Sequence, residues 1–169
     1  MLDAIAQFMD AGGEVLYLIA TLTFVMWTLI FERLWYFFHA VKQDAASAIQ
    51  EWEARGERKS WQAHQIRRLL ISRVYLAIHH NLPMIKTLVA LCPLFGLLGT
   101  VWGMIEVFNI MAVTGGGEAK AMASGVSKAT IPTMAGMVAA LSGVFANTFL
   151  AKLAERETAL LEDQLTMDH

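Results

Sequence analysis

Glu106 interrupts an otherwise apolar run, Leu88 to Phe108, and Lys128 immediately precedes another, Ala129 to Ala151. Thr100 and Thr133 lie inside these runs. A carboxylate and an ammonium can pair, or can carry protons. A threonine hydroxyl donates and accepts hydrogen bonds but does not ionise at cellular pH, so two threonines cannot hold a proton as a charge. No further acid or base lies deeper within these runs. If the chain uses a proton gradient, the titrating group must therefore come from a partner. One charge crossing the membrane releases about 2.3 kcal/mol per 100 mV, enough to drive a mechanical step.

Spacing relates the four residues. Folded about Gly117, Glu106 and Lys128 each stand eleven residues from the turn, whereas Thr100 stands seventeen and Thr133 sixteen residues away. In an antiparallel hairpin each pair falls at one depth. Glu106 and Lys128 are thus candidates for an intramembrane ion pair, since ionisable groups in a span are costly unless paired or wet. Thr100 and Thr133 form a deeper level.

The same runs carry stripes of small residues. Cys92, Gly96, Gly99, Gly103 and Glu106 recur at spacings of four and three, and so do Ala129, Thr133, Gly136, Ala140, Gly143 and Asn147. Each set marks one helix face. Lipid is as apolar as leucine, so helices in a membrane associate by close packing, which small residues permit. Gly96, Gly99, Gly103, Gly136, Ala140, Gly143 and Asn147 are therefore expected to serve helix packing. Pro93 and Pro132 each remove a backbone donor, leaving carbonyls as further polar contacts along these faces.

These positions belong to a larger plan. The chain is 56% hydrophobic and 17% charged, with a net charge of −2, which implies no nucleic-acid partner. A third apolar run, Val15 to Phe31, carries no charge and is followed by Glu32, Arg33 and an aromatic group, Trp35 to Phe38, as expected at headgroup level. No Lys or Arg precedes this run and no small-residue cleavage site follows it, so it reads as a span and not as a signal peptide. Lys and Arg concentrate between Glu32 and Lys86 and return in the tail at Lys152 and Arg156, which places those segments in the cytoplasm and the N-terminus outside. The expected organisation is all-α, with three transmembrane helices extended into a cytoplasmic helical bundle. It comprises an outer segment 1–14, spans 15–38, 87–112 and 127–151, a cytoplasmic helical segment 39–86, an outer loop 113–126 and a cytoplasmic tail 152–169.

Within the cytoplasmic segment, the first helix is expected to continue through Val41, Ala45, Ala48 and Trp52 and to break near Gly56. A second helix should run from Trp61 to His80, with Pro83 ending or kinking it. Leu150, Ala154, Thr158, Leu161 and Leu165 continue the last helix as a near-heptad stripe. Bundle packing accounts for these stripes; the alternative is that the basic helix lies on anionic lipid. The lone Cys92 allows no internal disulfide, and His64, His79 and His80 lack a matching carboxylate or cysteine set. No phosphate loop, metal constellation or Ser/His dyad is present in the sequence, so no catalytic residue, metal or cofactor is expected.

The segment Pro93-Leu-Phe-Gly-Leu-Leu-Gly-Thr-Val-Trp-Gly-Met-Ile, read with Gly125-Val-Ser-Lys-Ala-Thr-Ile-Pro-Thr-Met-Ala-Gly and Ala146-Asn-Thr, resembles the ExbB/TolQ/MotA proton-channel family. The resemblance is close from Leu91 to Asn147 and elsewhere rests on architecture. The short cytoplasmic part looks most like the compact ExbB proteins of TonB systems, with TolQ close behind. The resemblance implies a bacterial inner-membrane homo-oligomer, a pentameric ring around the single transmembrane helices of an ExbD-like partner. An aspartate of that partner carries the proton, and motion passes to a TonB-like protein that opens outer-membrane transporters for iron chelates and vitamin B12. It assigns Thr100 and Thr133 to the face that meets the acid. Lys128 departs from the family, which usually has glutamate there. The other readings are TolQ-type work in outer-membrane constriction, and a membrane scaffold without proton flow.

Overall fold

The computed structural model describes residues 2–57, 60–115 and 119–165. Among them the regular structure is helical: α1 (Leu2–His39), α2 (Val41–Glu53), α3 (Trp61–His79), α4 (Leu82–Thr114) and α5 (Ala119–Gln164). Three helices long and apolar enough to cross a membrane lie within Gly12–His39, Trp61–Val113 and Met122–Gln164. Helix α5 has 46 residues, about 70 Å at helical rise, more than twice a hydrocarbon core. This is a membrane protein whose last helix also has to exist outside the lipid.

The chain forms two compact units, residues 1–27 with 86–145, and 28–85 with 146–169. In the first, Val15, Leu16, Ile19 and Met26 of α1, Val89, Cys92 and Val107 of α4, and Ala129, Ala139 and Ala140 of α5 are buried. Large apolar side chains point outward: Phe24 is 73% exposed, Val138 70% and Phe145 70%. That inversion suits a lipid or helix-rich surrounding, because a water-soluble surface does not display so many large apolar groups together.

The second unit is a helical bundle. Its core includes Ile30 and Phe37 of α1, Val41, Ala48 and Trp52 of α2, Ala63, Leu70, Val74 and Ile78 of α3, Leu82 and Ile85 of α4, and Leu150, Ala154, Leu161 and Leu165 from the end of the chain. The near-heptad stripe of the tail is thus the buried face of α5. Leu69, next to Leu70 and about 100° around the helix from it, points out and is 61% exposed. Ser60 caps α3 by accepting a hydrogen bond from the Ala63 amide at 3.2 Å, an interaction worth about 1 kcal/mol.

Helix boundaries depart from expectation in three places. Helix α1 stops at His39 and α2 starts at Val41, with Ala40 still near helical geometry (φ −98°, ψ −32°). Asn81, at φ 64°, turns the chain between α3 and α4. Pro83 therefore stands in the first turn of α4, where its missing amide has no helical acceptor to serve. Finally, the segment expected as a loop, 113–126, is largely helical, since α4 reaches Thr114 and α5 starts at Ala119. Hydropathy marks where an apolar core ends, not where backbone hydrogen bonding ends. Gly117, about which the hairpin is expected to fold, lies outside the described residues.

Candidate functional site

Helices α4 and α5 meet through their small residues. A Cβ on Gly96 would lie 3.0 Å from the carbonyl oxygen of Pro132 and 3.0 Å from the Cα of Thr133. One on Gly136 would lie 2.5 Å from the carbonyl oxygen of Cys92, and one on Gly103 would lie 3.0 Å from the Cα of Ala129. The two backbones are therefore in contact, which no larger side chain at these positions would allow. Gly99 faces Pro132 and Val15, and Gly143 faces Met26 and Val89. Ala140 is buried. Asn147 falls in the second unit, half-buried.

The close approach brings Thr100 and Thr133 together. Their hydroxyls are hydrogen-bonded to each other. Each is also within reach of the Gly96 carbonyl oxygen, at 3.3 Å for Thr100 Oγ1 and 3.0 Å for Thr133 Oγ1. Three oxygens thus share two hydroxyl protons. When one hydroxyl donates to the carbonyl, the other can donate to the first, and both protons are then committed inside the triad. Lone pairs remain on both hydroxyls. In that state the triad can accept a hydrogen bond from outside but cannot donate one. To meet an anion, a hydroxyl must swing its proton outward and give up an internal bond. Both threonines are half-buried, so the site is reachable from one side.

The third member of the triad, the Gly96 carbonyl, is absent from a reading of side chains alone. Its signal was Gly96 standing four residues before Thr100, since a helical threonine commonly bonds the carbonyl one turn back.

Glu106 and Lys128 do not form an ion pair within 4 Å, and both side chains are exposed. They line one cavity of about 620 Å³ within the first unit, together with Asp10 and Glu14 of α1. Counting from the turn gives the height of a residue on its helix but not the direction in which its side chain leaves. These two leave toward the cavity.

The second unit holds a polar cluster unrelated to the threonines. Arg33, 4% exposed, makes a forked ion pair with Glu32 at 2.7 and 2.8 Å and donates to the Ala77 carbonyl at 3.1 Å. Its guanidinium lies 4.7 Å from the ring centre of Tyr36, whose hydroxyl donates to Asp44 at 2.6 Å. Arg67 donates to the carbonyls of Leu165 at 2.6 Å and Glu162 at 3.1 Å, capping the end of α5. In the sequence both arginines read only as positive charge.

Comparison with known proteins agrees with the helix pair. Residues 39–163 match the MotA/TolQ/ExbB proton channel family. A protein named ExbB-like 1 from Synechocystis is 30% identical over 178 residues, covering 86% of this chain and 70% of that protein. The biopolymer transport protein ExbB of Xanthomonas campestris is 33% identical over 86 residues, covering 51% of this chain and 34% of that protein. The Tol-Pal system protein TolQ of Haemophilus influenzae is 32% identical over 97 residues, covering 56% and 40%. The chain thus spans less than half the length of the last two relatives. The match takes in all of α4 and nearly all of α5, including the glycines at which their backbones touch and both threonines of the triad. On that ground the chain belongs to the MotA/TolQ/ExbB proton channel family.

Proposed function

We propose that this chain is an ExbB-type subunit of a proton-motive-force-driven motor in the bacterial inner membrane. Its N-terminus faces the periplasm and its C-terminus the cytoplasm. Copies form a pentameric ring around the transmembrane helices of an ExbD-like protein, and the motion energises a TonB-like protein for uptake of iron chelates and vitamin B12. The observation that carries this reading is the triad of Thr100, Thr133 and the Gly96 carbonyl, polar but unable to hold a charge. An aspartate on the partner's helix supplies the titrating group.

The triad suits that partner. A neutral carboxylic acid donates its proton to a threonine hydroxyl while the internal bonds stay intact. A carboxylate must pull a hydroxyl proton outward to be solvated, and an ion left without such a donor in a low-dielectric site is strongly disfavoured. The triad thus responds differently to the two protonation states of one acid, which a coupling between proton movement and helix movement requires. Replacing Thr100 or Thr133 by valine keeps shape and removes the hydroxyl. Energy-dependent iron-chelate uptake should then be lost with the protein still in the membrane; full uptake by either variant would defeat the assignment.

A TolQ-type role is the second reading, favoured by a match to TolQ about as close as the match to ExbB. Complementation separates them: restored chelate uptake in a strain lacking ExbB supports the first, and restored outer-membrane integrity in a strain lacking TolQ supports the second. A scaffold without proton flow would tolerate both valines.

A further inference from the structure

The cavity in the first unit plays no part in the function proposed above, yet its lining reaches the level of the triad. Its lining runs from Asp10, Glu14, Glu106 and Lys128 to Gly99 and Pro132. The last two are the chain neighbours of Thr100 and Thr133. One continuous space of about 620 Å³ therefore links four charged side chains to the level at which the threonines stand.

Two considerations say what fills it. A water occupies about 30 Å³ in the liquid, so the space admits many. Its charged side chains also require solvation, because three carboxylates and one ammonium in a dry pocket among membrane helices would be strongly disfavoured. The wall includes Gly13, where α1 leaves helical geometry (φ 68°, ψ −165°) in a region that is essentially glycine-only. That break lies between Asp10 and Glu14, and both line the cavity.

We propose that this cavity is a water-filled vestibule through which protons reach the threonine level from the periplasmic side, within a single subunit. The inference rests on the proton-carrying role proposed above. Three acids against one base give the walls a net negative formal charge, which raises the local concentration of hydronium as charged clefts do for other cations. Hydrogen-bonded water then passes the proton inward toward Gly99 and Pro132. The threonines cannot ionise, so the vestibule ends where the partner's acid must begin.

The test uses the full chain with its ExbD-like partner in proteoliposomes, in a Cys92→Ala background. Ser124 lines the cavity, whereas Ile105 does not and is 54% exposed. An impermeant cationic methanethiosulfonate reacts only with a thiolate, which forms in water and not in hydrocarbon. Added from the periplasmic side, it should modify Ser124→Cys at least about tenfold faster than Ile105→Cys. The adduct should lower dye-reported proton flux about tenfold, since a fixed charge about 4 Å from a passing ion is a barrier well above thermal energy. Reductant should restore the flux. Ile110→Cys, a second lining position, repeats the test should Ser124→Cys assemble poorly. Equal labelling rates, or full labelling with unchanged flux, would overturn the vestibule and leave the threonine assignment standing. Absence of flux in the unlabelled complex would defeat that assignment itself, and the vestibule with it.

Discussion

The hydroxyls of Thr100 and Thr133 are hydrogen-bonded to each other over the carbonyl oxygen of Gly96, although 33 residues separate them in the chain. The contact exists because glycine at position 96 lets one helix backbone rest against Pro132 and Thr133 of the other. Packing and polarity are therefore one feature here: the small residues that bring α4 against α5 also create the polar triad.

That dependence makes the glycines sensitive. In Gly136→Ala the new methyl would meet the Cys92 carbonyl oxygen at 2.5 Å. Relief requires a backbone shift, at about 1–3 kcal/mol for overpacking, which exceeds the gain of up to about 1 kcal/mol from better helix propensity. The variant should melt at a lower temperature in detergent by circular dichroism. An unchanged or raised melting temperature would show that the helices do not touch there.

The polar cluster of the second unit predicts coupling. Arg33 has a side chain only 5% exposed, while that of Glu32 is 46% exposed. Glu32→Gln leaves a buried guanidinium without its carboxylate and should destabilise by about 1–3 kcal/mol, below the range for a fully buried pair because Glu32 reaches solvent. Arg33→Met removes the buried charge but deprives the Ala77 carbonyl of a donor. The double variant holds neither charge, so it should lose less than the sum of the singles. A double-mutant cycle by thermal denaturation measures this, and strict additivity would contradict it.

Arg67 makes a different prediction because its acceptors are backbone carbonyls at the end of α5. Arg67→Ala should release the last turn, at about 1 kcal/mol, and speed amide hydrogen exchange around Glu162 to Leu165. Arg67→Lys should recover only part of the protection, because an ammonium lacks the fork that spans both carbonyls. Equal protection in all three proteins would remove the cap from the account.

Much of this was legible in the sequence. The uncharged runs gave the membrane helices, and residue counts from the glycine turn placed Thr100 and Thr133 at one depth. The stripe ending at Leu165 is the buried face of α5, as its spacing implies. What could not be read is where side chains point around a helix. Glu106 and Lys128 satisfy the same counting rule as the threonines, yet they open onto a cavity and make no ion pair. Asp10 and Glu14 join them through a backbone break at Gly13 that no periodicity encodes. In the sequence Arg33 and Arg67 read only as topology signals, because their carbonyl acceptors lie 44 and 98 residues away along the chain.

The most direct test of the central claim is proton flux through the reconstituted complex with Thr100 and Thr133 replaced together, once by valine and once by serine. Serine keeps a hydroxyl that can bridge to the Gly96 carbonyl, whereas valine keeps the shape alone. The account predicts flux near the parent level with the two serines and loss of most flux with the two valines, at equal assembly with the partner. Equal flux from both variants would contradict it.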